Sequence, residues 1–245
     1  MKTVIIVPTY NEAENLPRLV ASVLALPMDG LGMLIVDDNS PDGTGQLAEE
    51  LGQKYDGRVQ VLHRPGKMGL GTAYIQGFKC ALDMGAEMIG QMDADFSHPI
   101  DTIPLLAQAL KHVDVAIGSR YVPGGRLDDD WPLWRKRLSA FGNFYARTIL
   151  SLPVQDVTGG FRLWRRETLQ AIPLDRVRSN GYVFQVEMAY VAHRLGFRFT
   201  EIPIYFAERT CGQSKMSFRI QVEAAFNTWA LLGRYRDLRR LPRTN

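Results

Sequence analysis

With 245 residues, 46% of them hydrophobic and 22% charged, the chain has the composition of a folded protein with a sizeable core, which excludes a disordered or fibrous polypeptide. Its 29 Lys and Arg against 26 Asp and Glu leave a net charge of +3, too small a surplus to argue for a nucleic-acid partner. The two cysteines, Cys80 and Cys211, are far apart and form neither a disulfide framework nor a zinc-ligand spacing, so a reducing compartment is expected.

Met1-Lys2-Thr3 leads into a short apolar stretch ending at Pro8 without the pattern of a cleaved signal, and no run of about eighteen apolar residues is present to span a membrane. Apolar runs at residues 3–7, 33–36, 59–62, 88–92 and 113–117 alternate with helical patterns such as Leu16, Leu19, Val20, Val23 and Leu24, or Ile103, Leu105, Leu106 and Leu110. This rhythm predicts an α/β fold with a mostly parallel central sheet and flanking helices. Further on, the spacing predicts helices over 133–152, 183–195 and 218–232 and strands at 161–164 and 197–206, with no linker that would divide the chain.

Ligands of open α/β sheets bind beyond the carboxyl ends of the strands, and here those ends are polar: Pro8-Thr9-Tyr10-Asn11-Glu12, Asp37-Asp38-Asn39-Ser40, Asp93-Ala94-Asp95 and Gly118-Ser119-Arg120. Each alone reads equally well as a helix cap or a turn; four together on one sheet edge read as a site. The close carboxylates Asp93 and Asp95 suit a hard divalent cation, Mg²⁺ or Mn²⁺, set between them and an anionic ligand such as a phosphate, or else a cap for the helix near Pro99. His98 is either a further ligand or a packing residue. A redox dinucleotide fits poorly, because Gly69-Leu70-Gly71-Thr72-Ala73-Tyr74 has Tyr74 in place of the third glycine and the first strand–helix turn has no glycine; a P-loop is absent.

Taken together, Val7-Pro8-Thr9-Tyr10-Asn11-Glu12, the segment Asp37 to Thr44, Asp93-Ala94-Asp95 and Gly118-Ser119-Arg120-Tyr121 resemble the inverting GT-A glycosyltransferases of family 2. Leu70-Gly71-Thr72-Ala73-Tyr74, Thr158-Gly159-Gly160-Phe161-Arg162 and Gly181-Tyr182-Val183-Phe184-Gln185 narrow the resemblance to dolichol-phosphate (polyprenol-phosphate) mannose synthases, over nearly the whole chain. The resemblance implies a GT-A domain over residues 1–217 that moves mannose from GDP-mannose to a polyprenyl (dolichyl) monophosphate with inversion. It implies nucleotide-sugar contacts from Pro8, Tyr10, Glu12, Val36, Asp38, Asp93, Ala94, Asp95, Arg120, Arg209 and Lys215. Asp95, with Ser97 as second ligand, would hold Mg²⁺ or Mn²⁺ and serve as the catalytic carboxylate, and Arg120, Arg135 and Ser139 would grip the acceptor phosphate. No general base is assigned, since a phosphate monoester arrives already anionic. The stretch from Arg209 to Lys215 reads as a basic loop able to close over the diphosphate.

The helix over 133–152 sets Trp134, Leu138, Phe141, Tyr145, Ile149 and Leu152 near one face with Arg135, Lys136, Arg137 and Arg147 around it, a pattern for either a core helix or one lying on a membrane surface. Residues 218–245, with Trp229 and a run of arginines, form a second amphipathic basic helix suited to a membrane surface. The expectation is a peripheral enzyme at the cytoplasmic face of a membrane, recruited by lipid or by a separate anchoring subunit. The alternatives are a glucosyl- or other glycosyl-phosphopolyprenol synthase, or a non-catalytic nucleotide-sugar-binding module.

Overall fold

The computed structural model describes residues 2–208 and 218–242, with side chains omitted at 218–225. Arg209 and Lys215 lie outside the described residues. Seven strands form one sheet in the order β3-β2-β1-β4-β7-β5-β8: β1 (Thr3–Thr9), β2 (Leu31–Asp37), β3 (Val59–His63), β4 (Met88–Gln91), β5 (Val115–Ser119), β7 (Arg162–Arg165) and β8 (Phe199–Pro203). All neighbours pair in parallel except β7, which runs antiparallel to both β4 and β5.

Strand alternation divides the core between the sheet's two faces. Ile5, Val7, Met33 and Ile35 pack against α1 (Leu16–Leu24), α2 (Thr44–Lys54) and α4 (Ile103–Ala109). Val4, Ile6, Leu34 and Val36 point the other way, toward α3 (Leu70–Asp83), α5 (Leu133–Ile149), α6 (Arg166–Ala171), α7 (Gly181–Arg194) and α8 (Phe218–Arg234). With both faces covered, the central strands are apolar throughout, which is why they read as unbroken hydrophobic runs. Gly77 on α3 allows close approach: a Cβ there would stand 2.7 Å from Ile6 Cγ2.

Three local differences from the sequence reading have physical causes. The expected strand over 197–206 is two strands, because the chain leaves the sheet after Pro203 and pairs β9 (Tyr205–Phe206) with β6 (Arg126–Leu127). The helix expected over 133–152 ends at Ile149: Ser151 takes a left-handed φ of 51°, the Leu152 N–H donates to the Arg147 carbonyl, and Pro153 follows. The face expected along this helix is split, since Leu138, Tyr145 and Ile149 are half-buried and Leu152 lies in the core, whereas Trp134 and Phe141 are exposed, as is Phe144.

α7 is buried almost all round, and within it Glu187 is fully enclosed. Its carboxylate accepts four hydrogen bonds, from the N–H groups of Arg178 (3.1 Å) and Ser179 (2.8 Å), from Arg234 Nη1 (2.6 Å) and from the Tyr235 hydroxyl (2.9 Å). Through it, the loop before α7 and the end of α8 share one charge. Leu231 and Tyr235 complete the packing of α8 in the same core as α7.

Candidate active site

The ends of three neighbouring strands carry a non-glycine residue with left-handed backbone: Asn11 after β1, Asn39 after β2 and Phe96 after β4, with φ of 60°, 56° and 61°. Such conformations persist only where surrounding contacts enforce them. After β1 and β2 those contacts are side-chain clasps. Thr9 Oγ1 and Ser40 Oγ donate to Asp37 Oδ1 at 3.1 and 2.6 Å, and the Asn11 N–H donates to Ser40 Oγ. Asp42 receives the Ala13 N–H and the Thr44 hydroxyl, while Thr44 receives the Glu12 N–H. Burial acts to raise the Asp42 carboxyl, and these hydrogen bonds outweigh it and hold it below the ordinary range. Asp37 and Asp42 therefore build the edge.

Asp38 is held differently. Arg64, buried just beyond the end of β3, donates from Nη1 to Asp38 Oδ1 and from Nη2 to Thr72 Oγ1 at 2.6 Å, and its Nε is buried without a hydrogen-bond partner. Burial pushes the Asp38 carboxyl up by more than the Arg64 charge pulls it down. Beside it Tyr10 is exposed, with Lys67 Nζ 4.1 Å from its ring centroid. The Val36 side chain lies in the core, so only its main chain is available to a ligand at this edge.

Beyond β4, Asp95 is buried and its Oδ1 accepts from the Ser97 N–H (3.1 Å) and Ser97 Oγ (2.6 Å), closing a tight turn instead of capping a helix at Pro99. The Asp93 N–H donates to His98 Nδ1 at 3.1 Å, which puts the imidazole proton on Nε2. His98 stacks on Phe161 at 4.9 Å, and burial holds it below the usual histidine range, hence neutral. The ring thus fixes the main chain that carries the two carboxylates. A Cβ on Gly160 would stand 3.4 Å from Gln185 Nε2, 3.9 Å from the His98 ring and 4.0 Å from Asp93 Oδ1, so Gly160 lines the same pocket.

On the other side, Arg120 is buried and its fork faces Asp156, with Nε and Nη2 each 2.7 Å from a carboxylate oxygen; Nη2 also reaches Thr158 Oγ1. Its bidentate geometry is therefore engaged within the protein. Tyr121 donates to Ser139 Oγ at 2.7 Å, linking the β5 end to α5, and Asn143 accepts from Thr158. Arg135, one turn before Ser139, packs on Trp131 and is paired with Glu208 at 3.1 Å. Arg162, donating to three main-chain carbonyls, is lowered by burial to about 10.

The structure thus gathers Tyr10, Glu12, Asp38, Asp93, Asp95, Ser97 and Arg120 along one edge, with Ser139 joined to Arg120's neighbour and Arg135 a turn away. Arg64, Asp156, Gly160 and Gln185 are additional to the expected contacts, and His98 is the packing residue of its two expected readings. Arg64 follows a strand end and so carries the same positional signal as the others; Asp156 lies in a loop and carries none. Among the described residues no three His, Cys, Asp or Glu side chains converge as a metal cage. One or two carboxylates plus a hydroxyl is nevertheless the donor set by which Mg²⁺ is held when a substrate phosphate completes the shell, so the residues present fit such an ion.

Residues 4–172 match the sequence pattern of the family described as Glycosyl transferase family 2. The chain is 46% identical over 242 residues to the undecaprenyl-phosphate mannosyltransferase of Micrococcus luteus, covering 98% of both chains. It is 46% identical over 237 residues to the polyprenol monophosphomannose synthase of Mycolicibacterium smegmatis, covering 95% of this chain and 88% of that one. Among solved structures, glucosyl-3-phosphoglycerate synthase from Mycobacterium tuberculosis superposes with a TM-score of 0.63 at 16% identity, covering 95% of this chain and 79% of that one, which establishes the shared GT-A architecture and no more. With the sheet, the polar strand ends and full-length relatives in agreement, this protein belongs to glycosyltransferase family 2.

Proposed function

We propose that this glycosyltransferase transfers mannose from GDP-mannose to a polyprenyl monophosphate, inverting the anomeric centre. The observation that carries the reading is the end-to-end similarity to two proteins named for polyprenyl-phosphate mannose synthesis. The strand-end chemistry supports it. Tyr10 offers an exposed ring for a base to stack on, and Asp38, braced by Arg64, offers an acceptor for the nucleoside's N–H or hydroxyl groups. Asp93 and Asp95 would then face the sugar diphosphate.

Asp95 with Ser97 would hold a divalent cation, which when bound supplies counter-charge for the departing diphosphate. Asp95 is kept in one orientation by the Ser97 turn, and the main chain at Asp93 is held by His98. An acceptor phosphate oxygen attacks the anomeric carbon from the face opposite GDP; the new C–O bond forms as the bond to the β-phosphate oxygen breaks, and that oxygen keeps the electron pair. The acceptor's second ionisation lies near pH 6, so no residue is needed to deprotonate it at neutral pH. Arg135 and Ser139 would position it, Arg135 exchanging Glu208 for the phosphate.

The test is transfer of radiolabel from GDP-mannose into organic-extractable polyprenyl phosphate, with UDP-glucose as competing donor and with EDTA. Labelled lipid formed from GDP-mannose and suppressed by EDTA is expected. Label in a water-soluble product alone, preference for UDP-glucose, or donor binding without turnover would overturn the corresponding part of the reading.

A further inference from the structure

Between Arg120 and Asn143 the chain runs along the outside of the domain, and Trp131 is the one residue of that stretch that is buried. It follows Asp128-Asp129-Asp130 and precedes Pro132, a polar turn whose composition gives no reason for an enclosed indole. The surrounding contacts fix it firmly. Its main-chain N–H donates to the Asp128 carbonyl at 3.3 Å, and its ring stands edge-on to Phe206, with centroids 5.9 Å apart and planes at 86°. Phe206 in turn meets the His98 ring at 5.5 Å. The Asp128 carboxylate fastens the same segment, accepting from the Tyr205 hydroxyl and the Glu208 N–H, each at 2.8 Å. Yet Trp131 Nε1 is buried with no hydrogen-bond partner among the described residues, so hydrogen bonding by the ring does not account for its placement.

The face of the indole does. Arg135 Cζ lies 3.5 Å from the ring centroid, well within the range of cation–π attraction. The other partner of Arg135 is Glu208, but both of its carboxylate oxygens meet Nη1 alone, at 3.1 and 3.2 Å. A carboxylate that fixes the plane of a guanidinium bonds two of its nitrogens side on, as Asp156 does with Arg120. The plane of Arg135 is therefore set by Trp131. That ring is itself registered, through Phe206, against the imidazole that holds the main chain at Asp93.

We infer that Trp131 is a positioning residue for the acceptor side of the reaction: its face holds the Arg135 guanidinium in the plane in which it meets a phosphate monoester, in register with the turn that carries Asp93 and Asp95. The inference deepens the proposed function and rests on its assignment of Arg135 to the acceptor phosphate. Tryptophan is the aromatic side chain that attracts a cation most strongly, whereas an aliphatic side chain in the same place would fill space without orienting the charge.

The test is calorimetric titration of the full chain with farnesyl monophosphate in detergent, beside steady-state KM values for that acceptor and for GDP-mannose. In Trp131→Leu the Kd and KM for farnesyl monophosphate are expected to rise about tenfold, with the KM for GDP-mannose within about twofold of wild type. Trp131→Phe, which keeps a weaker aromatic face, is expected to raise them about threefold. In the Arg135→Ala background neither substitution is expected to add anything, because the cation that Trp131 orients is gone. Effects that add in the double variants, a rise shared by both substrates, or a wild-type Kd in Trp131→Leu would overturn the inference, as would a wild-type protein that does not bind farnesyl monophosphate. Should Trp131→Leu fail to fold, Trp131→Phe with and without Arg135→Ala makes the same comparison. The expected pattern of Kd values without any mannose transfer would support the Trp131 assignment and remove the proposed function.

Discussion

Arg120 and Asp156 meet through two side-chain hydrogen bonds of 2.7 Å, and the Arg120 main-chain N–H adds a third, at 3.0 Å, to the same carboxylate. The pair is buried and ties the end of β5 to the segment that leads into β7. Breaking one partner of such a pair leaves the other charge without solvent or counterion. Asp156→Asn is expected to cost about 3–5 kcal/mol of stability, read by urea unfolding. An unchanged midpoint would show that the pair does not hold the edge.

The same pair sets an acid limit. Burial raises the Asp156 carboxyl, but the Arg120 charge and hydrogen bonds outweigh it and leave it below the ordinary carboxylate range. A carboxyl depressed on folding contributes stability that is complete above its unfolded value, about 3.9, and is lost as pH falls through the folded one. Urea midpoints are therefore expected to fall below about pH 4 through this group, and to fall less in Asp156→Asn over that range. Equal acid slopes in both proteins would contradict the assignment.

Asp95→Ala removes the carboxylate that the Ser97 turn holds in place. Turnover is expected to drop by about 10²-fold or more with little change in unfolding midpoint, whereas Ser97→Ala should cost less because the main-chain bond to Asp95 persists. Near-normal transfer by Asp95→Ala would remove it from the reaction.

Arg64 joins Asp38 to Thr72, at the first turn of α3. Arg64→Ala frees Asp38 to move and is expected to raise KM for the nucleotide sugar about tenfold, leaving KM for the lipid acceptor unchanged. Equal effects on both substrates would point to general loosening instead.

Gly71 sits where α3 meets the loop before α7; a Cβ there would lie 2.4 Å from the Ser179 carbonyl oxygen. Gly71→Ala forces two main chains apart, with an expected loss of about 1–3 kcal/mol. Thermal unfolding at the wild-type temperature would show that the loop yields freely.

Much of this architecture is legible from local pattern. The five parallel strands of the first half announce themselves as apolar runs because both faces of the sheet are covered, and the polar residues after them mark the edge where ligands bind. Asp38 follows β2, Asp93 and Asp95 follow β4, and Arg64 follows β3 by the same rule. What pattern cannot show is pairing across distance. The antiparallel insertion of β7 between β4 and β5 brings Gly160 beside Asp93, though 67 residues separate them in sequence. The bond between Arg120 and Asp156 likewise depends on tertiary closure. Periodicity identified α5 as amphipathic, yet only the packing of Asn143 and Ala146 reveals which of its sides is covered.

Glu187 gives the last helix a meaning that its composition conceals. Stopping the chain ahead of Phe218 would spare every strand of the sheet yet strip two of the four donors from a carboxylate that water does not reach. The freed charge would then strain the loop at Arg178 and Ser179, which abuts Gly71 and the start of α3. The basic tail is thus no detachable appendage: trimming it would be felt in the loop before α7 and at the first turn of α3.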